Sequence, residues 1–276
     1  ASIPVTGINA NAFSNQTTLS NLFIPESISI IKEHAFQFVN PNLVILTSHE
    51  SKPVGWDINW NSDKLTVIWN YTEPKKIESL ITYDHLSEVV IEGIFTGSTT
   101  ISKYWIQDET AGIYIYVPYS LRASLSLINP GVKVYLRGTY NVSNPSYLTI
   151  NSLDDFIVID PRLNPYDPID LSLETLTNEV LSLYQGKLVS LSGYTLDGYL
   201  SFTSGQPFTF TLSNGSNQIM VSVNSSINEY ALLESKLNEL MGETTIQIHQ
   251  GVLTLSNGIY QIELFGDDIT VIPREK

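Results

Sequence analysis

Residues 104–117 read YWIQDETAGIYIYV. Apolar and polar residues alternate on both sides of a short turn, DETAG (108–112), and a period of two marks half-buried β-strands. Gly112 stands in that turn where a positive φ is expected. Upstream lies another such run, EVVIEGIFTG (88–97), opened by a helix-like lead-in, KIESLITYDHL (76–86). Downstream come VKVYLRGTY (132–140) and then SYLTI running into DDFIVI (146–159). The intervening stretch, 119–131, is too short for a full helix.

The last third repeats this order. A lead-in, NEVLSLYQG (178–186), precedes KLVSLSGYTL (187–196), a hairpin around 199–212, and NQIMVSV (217–223). In SINEYALLESKLNELM (226–241) a helical face gathers Ile227, Leu233, Leu237, Leu240 and Met241, with Ser225 or Ser226 as cap and Gly242 as stop. TTIQIHQG (244–251) and GIYQIELFGDDITVI (258–272) complete the copy. Asp154-Asp155 and Asp267-Asp268 fall at the same place in the two copies. Adjacent strand residues face opposite ways, so each pair reads as a structural turn. Gly93 and Gly193 read as bulges in the first strands. Five strands with a helix between the third and fourth describe the OB-fold. The first copy resembles the OB-fold domains attached to bacterial secreted nucleases and other surface proteins, whose pattern is Y-I-Q-D-x-x-G-G-I-Y-V-Y. It departs at Ala111, within the double-glycine turn.

The N-terminal part has a different period. IPVTGINANAF (3–13) and IPESISIIKEHAF (24–36) place Ile-Pro 21 residues apart and Ala-Phe 23 apart, and Leu19, Leu22 and Ile24 form L-x-x-L-x-I. A repeat of 20–29 residues marks a solenoid in which each unit supplies a short strand and shares a core with its neighbour. The segment 42–71, with ESKPVGWDINW, reads as a closing cap whose core holds Trp56, Trp60 and Trp69. These residues resemble the BspA-type leucine-rich repeat of bacterial surface proteins. Two units are few for such an array, so Ala1 is expected to cut through a longer one. Asp57, Asn59, Asn61 and Asp63 alternate as in the front half of a calcium loop. The required Gly and bidentate Glu are replaced by Ser62 and Ile68, which favours an ordinary turn. The expected architecture is therefore mostly β: a leucine-rich-repeat fragment and cap (1–75), then OB-like five-stranded β-barrels at 76–160 and 161–276.

The 276 residues are 42% hydrophobic and 15% charged, with a net charge of −14. The three parts carry −1, −5 and −8 when divided after residues 76 and 160. No run is basic, which disfavours nucleic acid and anionic lipid as partners without closing the case for a local patch. No apolar stretch is long enough to span a membrane. Cysteine is absent, so disulfides, zinc thiolates and thiol nucleophiles are excluded. His34, His49, His85 and His249 show no metal-ligand spacing, and no nucleophile elbow or phosphate-binding glycine pattern occurs.

Alternation places Ile113, Ile115 and Val117 inward on the third strand, with Tyr114 and Tyr116 outward. On the fourth, Val132, Val134 and Leu136 face inward, with Lys133, Tyr135 and Arg137 outward. Trp105 and Gln107 share the outer face of the second. Trp105, Tyr114, Tyr116, Tyr135 and Arg137 thus form the candidate ligand patch, through ring stacking and an arginine contact. Packing against a neighbouring part, or plain strand surface, are the competing readings. The resemblances imply a non-catalytic, extracellular or cell-surface segment without a cofactor. It would act as an adhesion, binding or spacer module toward a protein or glycan. The alternative is a nucleic-acid-binding accessory of a surface nuclease.

Overall fold

The computed structural model describes residues 5–272 apart from 199, 201, 228, 239 and 241–243. The Ile3-Pro4 pair, Met241 and Gly242 lie outside the described residues. The chain divides into two units, Ala1–Pro74 with Ile157–Pro161, and Lys75–Phe156 with Arg162–Lys276.

In the N-terminal unit the 23-residue period becomes stacked coils. Strands β1 (Gly7–Ile8) and β3 (Ile30–Ile31) pair in parallel, as do β2 (Asn21–Ile24), β4 (Val44–Thr47) and β5 (Thr66–Ile68). Asn21 lies opposite Val44 and Val44 opposite Thr66, so each coil takes 22–23 residues. Ala35 and Phe36 are fully buried, and Phe36 stacks on Phe13 at 5.2 Å. The turns repeat as well: Asn11 and His34 (φ 58° and 55°), like Asn15 and Phe38 (65° and 58°), take left-handed conformations 23 residues apart.

Residues 42–71, expected as a closing cap, continue the same coil. Trp60 packs edge-on against Phe36 at 5.8 Å, extending the aromatic row by one turn, and Trp56 lies 4.7 Å from Trp60. Trp69 packs against this cluster as a half-buried member. Trp56 Nε1 donates to the Ile28 carbonyl at 3.1 Å. The calcium-like residues serve the turns instead. Asp57 accepts from Asn59 N at 2.7 Å, Asn61 bonds the Leu65 backbone through both amide atoms, and Asp63 accepts from Phe38 N at 2.7 Å.

The second unit contains two closed five-stranded barrels. In the first, β6 (Ser87–Thr100), β7 (Lys103–Gln107), β8 (Gly112–Tyr116), β9 (Lys133–Asn141) and β10 (Tyr147–Thr149) follow the order β10-β8-β7-β6-β9, and β9–β10 pairing closes the ring. The third and fifth strands run parallel. A single-turn helix, α1 (Arg122–Leu125), follows the third strand, as its short connection dictates. Ile91, Ile106, Ile115, Val134, Leu136 and Leu148 are fully buried. Next come β11 (Phe156–Asp160), β12 (Ile169–Asp170) and α2 (Asn178–Ser182), whose first turn is capped by Thr177.

The second barrel has the same topology. Strands β13 (Leu188–Leu196), β14 (Phe208–Ser213), β15 (Gln218–Val223), β16 (Thr245–Ser256) and β17 (Ile259–Glu263) follow the order β13-β14-β15-β17-β16, closed by β13–β16. Helix α3 (Tyr230–Asn238) lies between the third and fourth strands. Ile227, Leu233 and Leu237 are buried in the core, and Leu240 packs against it. The helix starts later than its apolar face suggests, because Ser226 is held in a turn by Asn224, whose Oδ1 accepts from its amide and hydroxyl.

The final segment is two strands rather than one: β17 turns into β18 (Ile269–Ile272), which pairs with β16. The hairpin expected around 199–212 is the antiparallel pair of β13 and β14, and a further turn at 214–217, in which Asn214 Oδ1 accepts from the amides of Ser216 and Asn217, joins β14 to β15. Both Asp pairs are turn elements. Asp155 Oδ2 accepts from the amides of Asn151 and Ser152, and Asp268 Oδ2 from those of Phe265 and Gly266. Burial pushes the Asp268 carboxyl above the usual range. Gly193 does sit at a register slip, whereas Gly93 stays paired with Val134 and the slips of that strand fall between Phe95 and Gly97 and between Ser98 and Thr100.

Candidate ligand face of the first barrel

The outer face of β7 and β8 is assembled by strand register. Trp105 lies opposite Tyr114, and Tyr114 opposite Tyr147 on the parallel fifth strand. The rings follow: Trp105–Tyr114 centroids are 5.4 Å apart, Tyr114–Tyr147 stack at 5.0 Å and 17°, and Tyr116–Tyr147 meet at 6.3 Å. Tyr147 was not among the sequence candidates. Its signal is the OB-fold rule that strand five runs beside strand three, together with outward alternation against buried Leu148.

The five candidates do not form one patch. Tyr116 is 40% exposed and Tyr114 is half-buried, but Trp105 is only 1% exposed, its indole N–H donating to Thr99 Oγ1 at 3.1 Å. Tyr135, 1% exposed, lies with Arg137 on β9, which β6 separates from β7. The Arg137 guanidinium sits over the Tyr135 ring at 5.4 Å. Ring surface on this face is therefore carried by exposed Tyr116 and by the stacked, half-buried pair Tyr114 and Tyr147. Burial holds the Tyr114 phenol up at about 12, and the nearby Tyr147 and Glu263 act in the same direction.

Part of this face is occupied by the second barrel. Gln107, 5% exposed, accepts through Oε1 from the Leu188 amide at 2.9 Å. Lys103 Nζ lies 3.5 Å from Glu263 Oε1 and 5.3 Å from the centre of the Tyr114 ring. Thr254 and Gln261 also donate to that Glu263 oxygen, at 3.1 and 3.4 Å. Gly112 and Gly186 meet backbone to backbone, and a Cβ at Gly112 would stand 1.8 Å from the Gly186 carbonyl oxygen. Gly112 is thus required by this approach and not by a positive φ, which it does not adopt.

Beside it, Asp108 is 3% exposed and organises the turn. Its Oδ1 accepts from Thr110 N (2.7 Å), Thr110 Oγ1 (2.6 Å) and Ala111 N (2.8 Å), and its Oδ2 from Ile77 N (2.8 Å). Ala111 contributes only backbone groups to this turn, its amide to Asp108 Oδ1 and its carbonyl to the Asp108 amide at 3.0 Å, so the departure from double glycine is accommodated. Lys76 and Glu109 form an exposed ion pair at the same corner.

Three of the four histidines make hydrogen-bond contacts within the fold. His49 Nε2 lies 3.1 Å from the Ile28 carbonyl, His85 Nδ1 accepts from Val142 N at 3.1 Å, and His249 Nε2 lies 2.7 Å from Thr270 Oγ1. Among the described residues no three His, Asp or Glu side chains gather to hold a metal. Nor, among them, is any helix long and apolar enough to cross a membrane.

No protein-family model matches the sequence, and no curated protein does. Among solved structures the chain is similar to the p204 HINb domain, at 13% identity, over 68% of this chain and 98% of that one, with a TM-score of 0.32. It is similar to a Replication Protein A heterotrimer bound to ssDNA, at 11% identity, over 72% of this chain and 51% of that one, with a TM-score of 0.31. A murine DNA-binding protein bound with ds DNA gives 10% identity, 68% and 98% coverage, and a TM-score of 0.31. None of these scores reaches the level of a shared overall fold, so the functional reading rests on this chain's own residues.

Proposed function

We propose that the chain is a non-catalytic binding module of an extracellular or cell-surface protein, and that the Tyr116–Tyr147 strip of the first barrel stacks on the rings of an uncharged glycan. The observation that carries this is the row of tyrosines on strands three and five, Tyr114 stacked on Tyr147 and Tyr116 open to solvent. An OB barrel binds oligosaccharides or oligonucleotides on the face of its second and third strands. Here the local cation, Lys103, is engaged by Glu263, and the chain carries −14 overall. Flat faces without free positive charge suit sugar rings better than a polyanion. The N-terminal coil, with strands recurring every 22–23 residues, supports a leucine-rich-repeat-type reading of that part and, with it, the surface setting.

Accessory binding of single-stranded nucleic acid is the second reading, favoured by the same ring positions, since bases also stack on aromatic faces. Calorimetric titration with neutral oligosaccharides and with oligothymidylate separates the two. Glycan binding predicts saturable, salt-insensitive association that weakens roughly tenfold or more in Tyr116→Ala or Tyr147→Ala. Nucleic-acid binding predicts association that falls steeply with salt. Binding to neither ligand would leave the spacer role and refute the strip as a ligand site.

A further inference from the structure

A pocket of about 310 Å³ opens where the two barrels meet, lined by none of Tyr114, Tyr116 and Tyr147. Its walls are Phe95 and Tyr104 from the first two strands of barrel one, Arg122 and Ala123 from α1, and Phe265 and Ser226 from barrel two. The volume is at the lower end of the range for small-molecule sites. Phe265 is fixed against β6 by Gly97, where a Cβ would stand 2.7 Å from the ring. Phe95 is stacked on Tyr104 at 5.8 Å. The apolar walls are therefore formed by packing before any ligand arrives.

Two side chains of this pocket carry donors that no hydrogen bond among the described residues uses. Arg122 donates through Nε to the Val117 carbonyl at 3.1 Å and lies over the Tyr119 ring at 5.6 Å, which fixes the guanidinium while leaving its terminal nitrogens unused among the described residues. No carboxylate of the described residues pairs with it, although the chain has twice as many acids as bases. The Tyr104 hydroxyl makes no hydrogen bond to the described residues, and burial raises its pKa while the nearby Arg122 charge opposes the rise.

We propose that this pocket binds a small monocarboxylate carrying a flat apolar ring. The carboxylate pairs with the Arg122 fork and accepts from the Tyr104 hydroxyl, and the ring lies between Phe95 and Phe265. One guanidinium balances one negative charge. A phosphate dianion would leave a charge uncompensated in a strongly acidic protein, and a neutral ring would leave the arginine unpaired.

Calorimetry on the full chain tests this with benzoate, benzyl alcohol and inorganic phosphate as probes. Benzoate is expected to bind saturably, with the other two at least tenfold weaker. Arg122→Gln should weaken benzoate tenfold or more, and Ala123→Trp, a change at an exposed wall residue, should block the pocket without touching the core. Absence of saturable benzoate binding would overturn the proposal, as would equal affinity in wild type and Ala123→Trp. The second variant decides the matter should Arg122→Gln fail to fold. Neither variant alters Tyr116 or Tyr147, so failure here is distinguishable from failure of the glycan strip.

Discussion

Replacing Gly112 with alanine should separate the two barrels. The new Cβ would stand 1.8 Å from the Gly186 carbonyl oxygen, whereas real Cβ atoms keep at least 3.0 Å, so the backbones must part by about 1.2 Å. That movement stretches the 2.9 Å bond from the Leu188 amide to Gln107 Oε1 to roughly 4 Å, beyond any hydrogen bond. The cost combines overpacking, about 1–3 kcal/mol, with an unsatisfied buried amide, about 1–3 kcal/mol. Urea denaturation followed by circular dichroism should therefore show a loss of about 2–6 kcal/mol. Gly205→Ala is the control. Its φ is 74° with nothing within 4 Å, so it should lose only the strain of a left-handed alanine, about 1–2 kcal/mol. A Gly112→Ala protein within about 0.5 kcal/mol of wild type would refute the contact between the barrels.

Asp108→Ala strips four donors of their acceptor in a buried turn and should cost at least ~3 kcal/mol, measured by the same denaturation. Tyr114 makes the protein sensitive to alkali. Its folded pKa of about 12 lies above the unfolded value of 10, so its contribution is complete below pH 10 and is lost as pH rises through 12. Tyr114→Phe should flatten the stability profile in that window by up to ~2 kcal/mol, reduced from the full shift because the ring is only half-buried. An unchanged slope would place the phenol in water. Trp56→Ala should cost about 3–5 kcal/mol, felt in the N-terminal coil, by opening a cavity and removing one of the two side-chain contacts of the Ile28 carbonyl. Thermal unfolding of that variant should show an early transition absent from wild type.

Local periodicity made much of the fold legible. The alternation in 104–117 and 132–140 located strands and their inner faces, and recurrence of order revealed the second barrel despite its different turn sequences. What alternation does not encode is the occupant of an outer face. Gln107 was placed outward correctly, but its partner is an amide 81 residues away, and no pattern near either residue announces that pairing. Trp105 and Tyr135 face away from the barrel interior and are nonetheless buried, so outward does not mean exposed. Tyr147 escaped notice because it joins the strip through the parallel pairing of strands three and five, a tertiary relation. The third coil was hidden by chemistry: Trp60 takes the place that Phe13 and Phe36 hold in the earlier turns, so the repeat is aromatic in character without being identical in letters. Gly112 suggested a turn conformation when it was marking a collision.

Amide hydrogen exchange at Leu188, followed by NMR, tests the paired-barrel arrangement most directly. That N–H donates to a side chain of the other barrel, so its protection reports contact between the barrels. Exchange as slow as the core strand amides is the predicted result, with protection lost in Gln107→Leu. Free exchange at Leu188 in the wild-type chain, with the neighbouring strand amides still protected, would contradict it.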